Sequence, residues 1–85
     1  MRILVLGATG MLGHTIYKFL NQSDEIECYG SIRNTKDKEF FDSHLSKKTR
    51  IFNDFNNLKK LEKFIKKIKP QIILNCIGLI KQRDN

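Results

Sequence analysis

The stretch VLGATGMLG, residues 5–13, spaces three glycines (Gly7, Gly10, Gly13) three residues apart, between an apolar run and a helix-like segment. On its N-terminal side, residues 2–6 (RILVL) form a short apolar run closed by Gly7. That is the pattern of a strand buried on both faces of a parallel sheet. On its C-terminal side, residues 11–21 carry Met11, Leu12, Thr15, Ile16, Phe19 and Leu20 at three- and four-residue intervals, which predicts a helix. Thr9 falls in the N-cap region, and Asn21-Gln22-Ser23 is a polar stop.

A strand, a glycine loop and a helix in that order present unpaired N–H groups and a positive dipole end at one point. Together these favour a phosphate or diphosphate. Gly7 permits a tight exit from the strand. Gly10 lets the backbone approach a diphosphate with no Cβ in the way, and Gly13 lets the helix pack closely on the sheet. The backbone N–H groups of Met11 and Leu12 are the expected donors. The alternative is a glycine-rich turn with no ligand, but the strand before and helix after favour nucleotide binding. No Gly-Lys-Ser/Thr follows, which excludes a Walker-type phosphate loop. His14 reads as a helix residue near the sheet edge.

Residues 26–32 read as a second strand, in which Gly30 either weakens pairing or admits a close neighbour. Residues 34–48 are polar, with Phe40, Phe41 and Leu45 pointing to a short helix. Residues 49–53 read as a third strand. Residues 56–69 are the clearest helix: Leu58, Leu61, Phe64, Ile65 and Ile68 share a stripe, and Lys59, Lys60, Lys63, Lys66 and Lys67 lie largely off it. Pro70 ends it, and residues 71–77 are the fourth and most hydrophobic strand. This alternation predicts an α/β fold: a parallel sheet of about four strands, right-handed crossovers, and helices on both faces.

The chain has 85 residues, enough for one small domain, and a formal net charge of +7. Such a charge points either to an anionic partner or to a solvated lysine-rich surface. The lysines of residues 56–69 favour the second, since no aromatics interleave with them as a single-strand nucleic-acid platform requires. No nucleic-acid partner is therefore expected. No stretch approaches the ~20 apolar residues of a membrane span, and no signal peptide is visible. Cys28 and Cys76 lie in apolar runs and read as reduced, buried thiols of a cytoplasmic protein. His14 and His44 show no ligand spacing with them, so no metal site is expected.

The end of the second strand bears on which dinucleotide would fit. A carboxylate there, roughly 20 residues beyond the glycines, binds the ribose hydroxyls of NAD. Here the segment is Gly30-Ser31-Ile32-Arg33-Asn34, with no acid, while Asp24, Glu25 and Glu27 come too early. Ser31 and Arg33 offer a hydroxyl and a guanidinium suited to the 2′-phosphate of NADP, with NAD the alternative. Arg33 as an ordinary surface arginine is the competing reading.

The spacing Gly7-x-x-Gly10-x-x-Gly13 resembles that of the extended short-chain dehydrogenase/reductases. Residues 1–14 and the segment Lys69 to Gly78 (KPQIILNCIG) are similar to the dTDP-4-dehydrorhamnose reductase branch and its nucleotide-sugar-reductase relatives. The resemblance covers nearly the whole chain except residues 34–48. It implies a Rossmann-like sheet, truncated after its fourth strand. It places Asp54 against the adenine amino group, although Asp54 as the cap of the following helix is an equal reading. It has Asn75, Cys76, Ile77 and Gly78 line the cofactor's ribose, with Cys76 where alanine is common. Lys81 lies just past them and receives no role.

The family's chemistry needs a Tyr-x-x-x-Lys pair, and neither tyrosine meets that spacing: Asn21 follows Tyr17, and Arg33 follows Tyr29. The resemblance therefore implies the first half of an NADPH-dependent nucleotide-sugar reductase, binding dinucleotide without catalysis. The nucleotide-sugar substrate would belong to the full-length enzyme. A fourth strand left as an apolar edge would invite self-association. The rival readings are a stand-alone dinucleotide-binding or regulatory module and, less favoured, a basic nucleic-acid binder.

Overall fold

A computed structural model of the chain describes residues 1–77. Four strands, β1 (Arg2–Leu6), β2 (Glu27–Ile32), β3 (Thr49–Ile51) and β4 (Ile72–Asn75), form one sheet in the order β3-β2-β1-β4. All three pairings are parallel. Between the strands run α1 (Met11–Leu20), a 3₁₀ helix (Thr35–Phe40) followed by the short α2 (Ser43–Ser46), and α3 (Leu58–Ile68). The α/β class, the four strands and the parallel sheet agree with the sequence reading.

The strand order explains the layers. From β1 to β3 the chain steps one way across the sheet; from β3 to β4 it steps back over β2 and β1. With right-handed crossovers, a reversal moves the connection to the opposite face. Accordingly Ile3 and Val5 pack with Tyr17 of α1 and with Phe41 and Leu45, which flank and enter α2. Leu4 and Leu6, on the other face of the same strand, pack with Phe64, Ile65 and Ile68 of α3. β1 is therefore buried on both sides, as its unbroken apolar run requires.

Helix α1 packs by a different face from the one its apolar periodicity indicates. Met11, Leu12 and Phe19 are 92%, 62% and 69% exposed, while the helix buries Gly13 and Tyr17. Ile16 and Leu20 are half-buried at the margin of that face. The reason lies across the interface. A Cβ on Gly30 would stand 2.8 Å from the Ala8 Cβ and 2.9 Å from the Tyr17 Cε1. Gly30 thus leaves the space into which Tyr17 lies flat, and the close approach, rather than a loss of pairing, accounts for a glycine in β2. Burying such an aromatic contributes about 1.5–3 kcal/mol. Its hydroxyl donates to the Leu45 carbonyl oxygen at 2.6 Å, tying α2 to α1.

Boundaries also shift: β3 and β4 are shorter than the expected 49–53 and 71–77, and so is α3 than 56–69. α3 starts at Leu58, capped by the Asn57 side chain, which accepts the Lys60 N–H at 3.1 Å. Asp54 does not cap it. Leu58 sits in the first turn, ahead of the packed part of the stripe, and is 77% exposed. At the other end Lys69 adopts the left-handed conformation (φ 56°) before Pro70, a sharp stop.

Burial makes the α1 side of the core sensitive to alkali. The Cys28 thiol, fully buried, is pushed up to about 11 from an ordinary value of 9.0. The unfolded chain then loses its proton first as pH rises, so stability is intact below pH ~9 and falls as pH climbs toward 11. The melting temperature should decline over that window, and less steeply in Cys28→Ala than in the wild type.

β4 is an edge strand among the described residues, paired only with β1. Ile72 and Ile73 are 39% and 41% exposed, and neither a charge nor a proline interrupts residues 71–77. Natural edges carry such interruptions to prevent strand addition. We expect concentration-dependent association in sedimentation velocity, shifted toward monomer by Ile73→Lys, with an unchanged circular dichroism spectrum.

Candidate functional site

The chain leaves β1 toward β2, yet β4 lies against the other side of β1. The exits of β1 and β4 therefore open a crevice at the carboxyl edge of the sheet, the place where open α/β sheets collect ligands. The loop after β1 fills it with main chain. Gly7 has φ +84°, and a Cβ on it would stand 3.2 Å from Cys76 backbone atoms. The Gly7 N–H donates to the Ser31 Oγ at 2.9 Å, and the Ala8 N–H donates to the Ser31 carbonyl oxygen at 2.9 Å. Ser31 is 1% exposed and clamps the loop from both its side chain and its backbone.

The helix start is open. Gly10, not Thr9, is the N-cap, and no side chain caps the helix. The first helical bond runs from the His14 N–H to the Gly10 carbonyl at 2.7 Å. Ahead of it, the N–H groups of Met11, Leu12 and Gly13 have no acceptor among the described residues. No acidic side chain occupies the first turn. Three bare donors at a positive dipole end make an anion-binding arrangement. His14 lies outside it, stacked on Phe41 with ring centroids 5.0 Å apart.

The two remaining loop glycines differ in kind. A Cβ on Gly13 would overlap the Gly7 carbonyl oxygen and stand 2.9 Å from the Gly7 carbon, both backbone atoms that cannot swing away. A Cβ on Gly10 would meet only the Cys76 and Gly7 carbonyl oxygens, each at an ordinary 3.7 Å. Gly10 is also extended (φ −70°, ψ 164°), which any residue adopts. The fold needs Gly13; nothing in the described protein needs Gly10.

A cleft of about 820 Å³ spans the strand exits. Of the residues expected from sequence, it gathers Gly7, Thr9, Gly10, Ser31, Arg33, Cys76 and Ile77. Met11, Leu12 and Gly13 lie beside it, at the start of α1. Asn75 is outside the lining, and its side chain accepts the Ile77 N–H at 3.1 Å. Asp54 is not brought to the cleft: its carboxylate pairs with Lys60 at 3.2 Å. Gly78 and Lys81 fall outside the described residues.

The lining also holds residues the sequence reading passed over: Ile32, Asn34, Asp37, Phe52, Asn53 and Phe55. Their common signal is position. β2 and β3 are neighbours, so their exits share one wall. Phe52 stacks on Phe64 (centroids 4.7 Å) and meets Phe55 edge-on (4.8 Å), giving that wall an aromatic base. The segment Gly30–Asn34 holds no acid, as read from sequence, but Asp37, beyond that segment, joins the lining. It lies five residues past the end of β2 but is carried back to the cleft by the 3₁₀ helix.

Among the described residues, Arg33 and Asp37 are the only charged residues of the lining. The chain's positive charge collects elsewhere, on α3 and around Tyr29, over whose ring Arg50 sits at 4.9 Å. Neither tyrosine reaches the cleft. Tyr17 is buried with its phenol held well above the ordinary range by desolvation, and the Tyr29 hydroxyl is hydrogen-bonded to Glu27. Among the described residues, no helix is long and apolar enough to cross a membrane, and no cluster could hold a metal ion.

Two alanine substitutions separate fold from ligand. Gly13→Ala must displace α1 from the loop and should lower Tm by roughly 10 °C or more. Gly10→Ala should melt within about 3 °C of the wild type, because an ordinary contact costs well under 1 kcal/mol. Differential scanning calorimetry of both variants without ligand checks this.

Residues 3–85 match the profile of the NAD dependent epimerase/dehydratase family. No curated protein gives a significant match. The family match spans nearly the whole chain, and the parallel sheet with its glycine loop at the switch point is the corresponding architecture. The chain belongs to the NAD-dependent epimerase/dehydratase family, as an NAD(P)-binding, Rossmann-like domain.

Proposed function

We propose that this chain is the NADP-binding portion of an oxidoreductase acting on a nucleotide-linked keto sugar, of the dTDP-4-dehydrorhamnose reductase kind. The observation that carries the binding site is the trio of bare N–H groups opening α1, beside a glycine whose absent Cβ the fold itself does not require. A diphosphate accounts for both at once. The nucleotide-sugar assignment rests on the likeness of residues 1–14 and 69–78 to that branch.

In this reading the backbone from Gly7 to Gly13 cradles the diphosphate, with Thr9 at its rim. Arg33, exposed and without a side-chain partner among the described residues, meets the 2′-phosphate. Phe52 and Phe55 supply an apolar wall for the adenine. Cys76 and Ile77, across the cleft from Arg33's strand, border the ribose nearer the nicotinamide. Ser31 acts through the loop it clamps. Asp54, engaged with Lys60, takes no part. A bound nicotinamide dinucleotide supplies hydride transfer. With both tyrosines engaged away from the cleft, the residues described here bind and orient that group and move no proton. A stand-alone binding module fits the same geometry, since nothing in the cleft beyond its binding groups is reactive. The two readings part on whether a Tyr-x-x-x-Lys segment accompanies the chain. The two unpaired cysteines suit a reducing, cytoplasmic setting.

Isothermal titration with NADPH and NADH tests the assignment. Gly10→Ala should weaken both by at least about tenfold, by placing a methyl group where the diphosphate approaches. Arg33→Ala should weaken NADPH by about tenfold and leave NADH within about twofold, the loss of one charge-assisted contact. Cys76, half-buried in the lining, serves as a footprint: alkylation by iodoacetamide should slow when NADPH is present. No heat with either coenzyme on folded protein overturns the reading.

A further inference from the structure

Arg33 is held by its backbone from two sides. Its N–H donates to the Asp37 Oδ2 at 3.1 Å, and its carbonyl oxygen accepts from the Asn53 Nδ2 at 3.2 Å. The same Asp37 oxygen takes the Asn34 N–H at 3.4 Å, and the Asp37 N–H donates back to the Asn34 carbonyl at 3.1 Å. The chain leaving β2 is thereby closed into a tight turn, and Asn53 ties that turn to the exit of β3. All four residues line the same cleft.

An acidic side chain at this position has two physical uses. Free, it accepts hydrogen bonds from a ribose and repels a 2′-phosphate. Bound by consecutive backbone N–H groups, it is instead a strut whose lone pairs are committed to the main chain. The structure shows the second arrangement at Oδ2. The arginine side chain, in contrast, is exposed and makes no hydrogen bond or ion pair with a described residue. The strut's effect is to fix the Cα from which a flexible, free guanidinium reaches into the cleft. A long side chain on a mobile turn would pay the ordering entropy again at each binding event.

We infer that Asp37 is a positioning residue for coenzyme selection: by holding the Arg33 and Asn34 amides it sets Arg33 where a 2′-phosphate lies, and so favours the phosphorylated dinucleotide. Asn53 is the second tether of the same device. The inference rests on the dinucleotide reading above and adds residues to it that touch no part of the coenzyme.

The test is the ratio of NADPH to NADH affinity, measured by titration in Asp37→Asn, Asp37→Ala, Asn53→Ala and Arg33→Ala. Asp37→Asn keeps an acceptor oxygen and should hold the ratio within about twofold. Asp37→Ala should lower it by about tenfold, toward that of Arg33→Ala, chiefly by weakening NADPH. Asn53→Ala should lower it in the same direction. Amide exchange at Arg33 and Asn34 should speed up in Asp37→Ala and not in Asp37→Asn. A ratio that rises in both Asp37 variants makes the carboxylate a repelling charge and overturns the inference. Equal loss of both coenzymes in Asp37→Ala makes it merely structural and also overturns it. If Arg33→Ala lowers the ratio while Asp37→Ala and Asn53→Ala keep it, this inference falls alone. If the wild type binds neither coenzyme, the dinucleotide reading falls and takes this one with it.

Discussion

Helix α1 lies where it does because two glycines remove the atoms that would hold it off. Gly13 lets the helix rest against the Gly7 carbonyl, and Gly30 lets the Tyr17 ring lie on β2. Protein interiors tolerate no overlap of backbone atoms, so this approach is a hard constraint rather than a preference. Much of the α1 side of the structure follows from it. The loop between β1 and α1 is drawn tight, and its residues 7 and 8 are clamped to Ser31. The helix start is thereby aimed across the crevice between β1 and β4.

The chemistry of the cleft comes from dipoles more than from net charge. Among the described residues its lining carries one cation and one anion, although the chain as a whole is strongly basic. The anion-binding power lies in three unpaired N–H groups at a helix start, which stay in place whatever the ionic strength. The lysines of α3 form a solvated face remote from that point. The open donors of the cleft are main-chain groups at the helix start, and among the described residues Arg33 is the cation of its lining.

Where the sequence reading went astray, the cause was packing across elements. The periodicity of Met11, Leu12, Ile16 and Phe19 promised one buried face, but the close approach at Gly13 and the space left by Gly30 turn Gly13 and Tyr17 inward. Hydrophobic spacing cannot report that, because the glycine that makes room for Tyr17 sits 13 residues away in another strand. Asp37 escaped notice for a related reason. Counted along the chain it is well past the strand, and only a tight turn returns it to the wall. Ser31, read as a ligand contact, lines the cleft, and its hydroxyl also accepts the Gly7 N–H of the loop.

The order of elements, the parallel sheet and the glycine loop before an open helix start were legible from residue pattern alone, because each depends on local physics. Strand burial shows as an unbroken apolar run, and a glycine at a strand exit reports a turn within a few bonds of itself. Tertiary structure alone decided which loop glycine the fold requires and which it does not. That distinction depends on what stands within 4 Å of a missing Cβ: overlapping backbone for Gly13, two carbonyl oxygens at an ordinary 3.7 Å for Gly10. It also decided which side chains share the cleft, since strand order, invisible along the chain, sets which exits are neighbours.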